Sequence, residues 1–233
     1  MSLIKPYRYL TKNAIESQAN DLLLRMQGTP NSPKWPFVAD QAANFLKLNV
    51  VWDSLPPHND RPVFARIYPQ TRIVEFNEDI PELQQNRGLE QSTLAHEIGH
   101  WMLHVNQDEA DGFVEQLELS LDGEIAEEPF LCRRVTEGQI SQSSANKQLD
   151  SIEWQAQYFA SCLLMPTHIL EAKRIGRDLT KDLHLDAMAK DIGVTKANLK
   201  HRLKDVGWIC IPKGSKQIYL GNGVPNGQMK LFD

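Results

Sequence analysis

The five residues His96-Glu97-Ile98-Gly99-His100 constrain this chain more than any other feature, because H-E-x-x-H acquires a geometric meaning only on a helix. Side chains four apart on a helix lie about 5 to 6 Å from each other on one face, so two imidazoles can share one metal ion. Glu97, rotated by one position, is then left to act on a water molecule at that ion. The run from Ser92 to His104 holds no proline, and its only glycine lies between the two histidines, so it reads as helix. Ser92, His96, His100 and His104 fall on one i+4 row, whereas Leu94, Ile98 and Met102 form a second row about 200° away. Ligands on one side and apolar contacts on the other predict a helix sandwiched between layers. The competing expectation is a core helix with hydrogen-bonded histidines, in which His96, Glu97 and His100 would each need a buried partner.

A catalytic zinc wants three protein ligands and one open position, so a third donor must come from elsewhere. The segment from Ser151 to Pro166 repeats small or apolar residues at three and four: Ala156, Phe159, Ala160, Leu163 and Leu164. Glu153 extends that stripe backwards by one turn. A carboxylate on an inward face is costly unless it is paired or coordinated, which makes Glu153 the candidate third ligand. Its alternatives are an acid favoured by the helix dipole in the first turn and a partner for an arginine. His104 is the rival ligand. One turn beyond His100 it lies far along the axis, so it reads rather as a cleft-wall residue that supports the ligands.

These two stretches resemble the ImmA/IrrE family of metallo-endopeptidases. The resemblance is carried by Thr93 to His104 and by Glu153-Trp154-Gln155-Ala156 with Phe159 to Pro166. It implies that His96, His100 and Glu153 bind Zn²⁺, and that Glu97 is the general base. It also implies an α+β fold: a zincin-like core, with a small sheet and the H-E-x-x-H helix, followed by a helical C-terminal part. An edge strand before the metal helix would hold the substrate backbone by strand addition, which reads main chain rather than side chains. The chain departs from the family pattern at Gln157, where Asn or Asp is more usual, and at Leu89-Glu90-Gln91, where an arginine and an aromatic are more usual.

Zinc supplies Lewis acidity that lowers the pKa of water and polarises a carbonyl. Glu97 would take the proton from the attacking water and later deliver it to the leaving amine. Such chemistry also calls for an oxyanion stabiliser. His104, Tyr158 and His168 are the nearest residues of the right kind, and the sequence assigns the role to none of them.

With 233 residues, 41% of them hydrophobic, the chain has the means to bury a substantial core. The first ten residues lack a signal-peptide core and no later stretch approaches about 20 apolar residues, so a cytoplasmic protein without membrane contact is expected. Cys132, Cys162 and Cys210 are odd in number and set among apolar residues, which predicts buried thiols. Cys162 lies half a helical revolution from Glu153 and is a poor ligand candidate.

Asn13 with Glu16 forms a capping-box pattern ahead of Ile15, Ala19, Leu22, Leu23 and Met26, predicting a first helix. A Gly/Pro/Ser-rich stretch from Gly28 to Pro36 precedes a second, with Val38, Ala39, Ala42, Phe45 and Leu46 inward. A short strand is expected at 49–52, then a hairpin of 63–68 and 72–76 about Pro69-Gln70-Thr71, and another strand at 130–135. Trp208–Pro212 and Gln217–Leu220 read as a strand pair.

Charge is unevenly distributed. Residues 173–233 carry 12 Lys+Arg against 6 Asp+Glu, whereas 88–132 hold neither Lys nor Arg. The acidic connection between Asp108 and Glu128 reads as a solvated loop, with attraction of basic substrate segments as the alternative. The polar run 137–146 is expected to be mobile. Leu185 to Leu203 has the helix, Gly turn, Thr N-cap and second helix of a helix-turn-helix, with Lys196, Lys200 and Arg202 as candidate nucleic-acid contacts. Similar segments in the resembled family pack on the peptidase core. The expected division is therefore a metallopeptidase core at 1–172 and helix-turn-helix-like helices with the strand pair at 173–233, packed on it. The expected function is zinc-dependent endoproteolysis of a specific protein, by resemblance a helix-turn-helix transcriptional repressor. The alternative is a non-catalytic, zinc-containing regulator or antitoxin-like protein that acts by binding DNA or protein.

Overall fold

The computed structural model describes residues 3–58, 62–111, 130–133 and 144–221. Residues 112–128 of the acidic connection and 137–143 of the polar run lie outside these residues, as do the side chains of 130–133, including that of Cys132, and of 144–148; where the two runs are described, at 108–111 and 144–146, they are helical rather than a loop or a mobile segment.

Helix α1 (Lys12–Met26) buries Ile15, Ala19, Leu22, Leu23 and Met26, the stripe its spacing predicts. Its N-cap is Thr11 rather than Asn13: the Thr11 hydroxyl accepts from the Ala14 N–H, and Asn13 lies inside the first turn. Glu16 is released from capping and pairs with Arg202 instead. Helix α2 (Val38–Phe45) turns Val38, Ala39, Ala42 and Ala43 inward.

Strands β1 (Asn49–Asp53), β2 (Val63–Tyr68), β3 (Ile73–Asn77) and β4 (Phe130–Arg133) form one sheet in the order β1-β3-β2-β4. The hairpin β2–β3 is antiparallel, with Tyr68 opposite Ile73 across the expected turn. β1 joins β3 in parallel, and β4 joins β2 antiparallel. The sheet is thus mixed, with β1 and β4 at its edges among the described residues.

A short helix α3 (Pro81–Gln85), with proline at its start, leads into α4 (Arg87–His104). α4 begins five residues before the periodic run, because Asn86 caps it by accepting from the Leu89 N–H. It packs against β2 and β4 on one side and α5 (Ser144–Leu164) on the other, with α2 alongside, so it is the sandwiched helix that its two rows require. The edge that adjoins it is β4, which follows it in the chain rather than preceding it.

Helices α6 (Thr167–Arg174), α7 (Asp182–Ile192) and α8 (Lys196–Asp205) complete the helical part. α7 ends at Gly193, whose φ of +82° needs a residue without Cβ, and where a Cβ would strike the Pro36 carbonyl. Thr195 caps α8 by accepting from the Asn198 N–H. Strands β5 (Ile209–Cys210) and β6 (Tyr219–Leu220) pair antiparallel. One apolar core runs from α1 through α4 and α5 to Leu185, Leu199 and Leu203.

Candidate metal centre

His96, Glu97 and His100 are buried on the face of α4 that meets α5. Glu153, in the third turn of α5, reaches the same point from across the interface. Its carboxylate oxygens lie 3.2 Å from His96 Nε2 and 3.5 Å from His100 Nε2, and the two Nε2 atoms are 3.0 Å apart. Bonds of about 2.0 to 2.1 Å in a tetrahedral arrangement separate neighbouring donors by roughly 3.3 Å, so all three spacings suit one small cation with its fourth position open. Among the described residues these three alone form such a donor cluster. The expected ligands therefore converge, and Cys162 and His104 are outside the group.

The charge states suit ligation. Burial lowers the pKa of His100 despite the opposing pull of Glu153, so its ring is neutral at neutral pH. Burial pushes the Glu153 carboxyl upward, but His100 and then His96, where they carry a proton, outweigh it and hold the group below the usual carboxylate range. Neutral imidazoles and an ionised carboxylate are the forms a divalent cation binds.

Behind the donors, His96 Nδ1 lies 3.3 Å from Gln157 Oε1, and His100 Nδ1 lies 3.2 Å from His104 Nδ1. Gln157 thus orients the His96 ring, as an Asn or Asp would. His104 is one turn beyond the cluster, with its Nε2 3.3 Å from Gln155 Oε1, and burial lowers its pKa to about 4. The sequence marks Gln157 only as a departure from the family pattern and gives Gln155 no role, since an amide has no partner until the helices are packed. At the other end of the same row, the Ser92 hydroxyl donates to the Gly88 carbonyl and accepts from Asn198 Nδ2, which ties α4 to α8.

The other candidates fall elsewhere. Arg202, proposed for phosphate contact, is 1% exposed: its guanidinium donates to the Met165 carbonyl and pairs with Glu16 at 2.5 Å. It is a core residue. Lys196 lies 3.1 Å from Asp186, and Lys200 lies 2.7 Å from Asp182, so neighbouring acids offset both charges. The Tyr158 hydroxyl accepts from Arg202, and His168 stands edge-on to Trp35. Cys162 is buried as expected, whereas Cys210 is only half-buried.

Residues 130–204, from β4 through α8 and including Glu153, match the IrrE N-terminal-like domain of the Peptidase M78 family. This supports ImmA/IrrE family membership. The match spans Glu153 and the two glutamines, while His96 and His100 lie upstream of it. No curated protein matches the chain significantly. Among solved structures, a Mycobacterium tuberculosis transcriptional regulator is similar at 16% identity over 83% of this chain, with a TM-score of 0.48. The alignment covers 48% of that regulator, so this chain spans about half of its length. No described helix is long and apolar enough to cross a membrane.

Proposed function

We propose that this chain is a zinc-dependent endopeptidase with a zincin-like core, acting on a specific protein substrate. The observation that carries the reading is the convergence of His96, His100 and Glu153, with Glu97 fully buried one residue along α4. A zinc held only for folding would call for four protein donors, and among the described residues the cluster has three. When bound, Zn²⁺ supplies Lewis acidity that polarises the scissile carbonyl and makes water acidic enough to attack near neutral pH.

This chain's residues do the rest. Glu97 takes the proton of the attacking water and returns it to the leaving nitrogen. Gln157 keeps the His96 ring in position. The outer edge of β4, beside α4, offers backbone groups for an extended substrate segment. The substrate class inferred from the family resemblance is a helix-turn-helix repressor. In this reading residues 1–172 form the catalytic core and 173–233 a helical unit fastened to it. Offset of Lys196 and Lys200, and burial of Arg202, favour a packing role for that unit over direct DNA contact.

The test is incubation of the Zn²⁺-loaded protein with a repressor encoded beside it, in parallel with Glu97→Gln. Cleavage by the parent and none by the variant, at equal zinc content, is expected. Equal cleavage by both, or none by either, would overturn the mechanism. A salt-dependent shift of neighbouring promoter DNA would favour the regulator instead.

A further inference from the structure

We propose that His104 and Gln155 are positioning residues that fix the tautomer of His100 through a one-way hydrogen-bond relay anchored on the backbone carbonyl of Arg8. The inference rests on the metal-centre reading above and deepens it.

The relay is read from its far end. A carbonyl only accepts, so the Gln155 atom facing the Arg8 carbonyl at 3.1 Å is the amide nitrogen, which also lies 3.4 Å from Ser151 Oγ. The Gln155 oxygen is thereby turned toward His104 Nε2 at 3.3 Å. An amide oxygen accepts, so His104 carries its proton on Nε2 and presents a lone pair at Nδ1. That lone pair faces His100 Nδ1 at 3.2 Å, so the His100 proton resides on Nδ1 and its Nε2 is bare. Bare Nε2 is the nitrogen aimed at His96 Nε2 and Glu153. Each donor in the relay meets an acceptor, and reversing any link would set two donors or two acceptors against each other.

The anchor is fixed in space. The Lys5 N–H donates to the His104 carbonyl at 2.8 Å, the Asn106 N–H donates to the Leu3 carbonyl at 2.8 Å, and Ile4 bridges to Val105. The N-terminal segment that orients Gln155 is thus laced to the end of the helix that carries both histidine donors. His96 needs no such chain, because Gln157 supports it in one step.

Ring-nitrogen NMR on the ¹⁵N-labelled, Zn²⁺-loaded full chain reads the relay directly. We expect His100 protonated at Nδ1 and His104 at Nε2, and the opposite tautomer on either ring overturns the proposal. Zn²⁺ affinity, measured by competition with a chromophoric chelator, gives the second readout. His104→Leu, which removes the acceptor, should lower affinity about 10- to 100-fold, the range seen when a ligand's supporting partner is lost. His104→Asn, which keeps an acceptor near the Nδ1 position, should recover most of that loss, whereas a residue that merely fills space would be served better by Leu. Gln155→Leu should fall between them. Unchanged affinity in a folded His104→Leu protein overturns the proposal, and if that variant does not fold, the tautomers of the parent decide. A parent protein that binds no Zn²⁺ would instead sink the metal centre itself, and the relay with it.

Discussion

Gly99 and Ala156 meet backbone to backbone: a Cβ built on Gly99 would sit 2.7 Å from the Ala156 carbonyl oxygen and 3.0 Å from its Cα. Ala156 is one turn after Glu153, so this contact sets how closely the carboxylate approaches the two histidines that flank Gly99. Replacing Gly99 with alanine would gain about 1 kcal/mol of helix propensity. Overpacking against backbone, which cannot rotate away, costs about 1 to 3 kcal/mol and forces α5 outward. We expect Gly99→Ala to lower the melting temperature of the metal-free protein and to weaken Zn²⁺ binding at least about tenfold. Unchanged values by calorimetry and chelator competition would mean that α5 does not pack here.

The glycine between the histidines was visible in the sequence, but its partner was not. Periodicity made α1, α2, α4 and the hairpin legible, because each buries one stripe or one face. Glu153 was legible for the same reason, as an acid on an apolar stripe. Capping was harder to read: Thr11 and Asn13 both suit a helix start, and only the path of the chain before α1 selects Thr11. Arg202 reads as surface because basic residues surround it, yet it follows Leu199 by three and precedes Val206 by four, the inward spacing of α8. Lys196, Lys200 and Lys204 share the other row. That α4 adjoins an edge strand drawn from beyond itself in sequence is a matter of topology, which local patterns do not encode.

Glu153 should be separable from Glu97 by what each removes. Glu153→Ala deletes a donor, so we expect Zn²⁺ affinity to fall by at least about two orders of magnitude and peptidase activity to disappear with it. Glu97→Gln should retain the metal and lose only activity. Metal analysis after exhaustive dialysis distinguishes the two, and equal zinc content in both variants would contradict the assignment of Glu153.

The Glu16–Arg202 pair predicts a stability effect far from the metal. Arg202 is nearly inaccessible, while Glu16 retains some contact with water. Glu16→Ala therefore leaves a buried guanidinium with the Met165 carbonyl and the Tyr158 hydroxyl as its acceptors among the described residues. Breaking a buried pair in this way costs about 3 to 5 kcal/mol, reduced here by the partial exposure of Glu16 to about 2 to 3 kcal/mol. Urea unfolding should show it, and Arg202→Met should be milder than Glu16→Ala because no charge is left behind. The reverse order would mean that Arg202 is solvated.

Cys162 and Tyr158 set the response to alkali. Burial raises the Cys162 thiol from 9.0 to about 12, Arg202 opposing, and burial raises Tyr158 from 10.0 to about 12, with Cys162 adding to it. Well below pH 9 both groups are protonated whether the chain is folded or not, so their contribution to stability is constant. Between pH 9 and 12 the unfolded chain releases these protons while the folded chain retains them, so stability falls as pH rises. We expect the urea midpoint to decline across that window, and to decline less steeply in Cys162→Ala. The same burial shields the thiol: at pH 8, alkylation mapped by mass spectrometry should modify half-buried Cys210 well before Cys162, which should react only on unfolding. Rapid modification of Cys162 in the folded protein would show that α5 does not seal this part of the core.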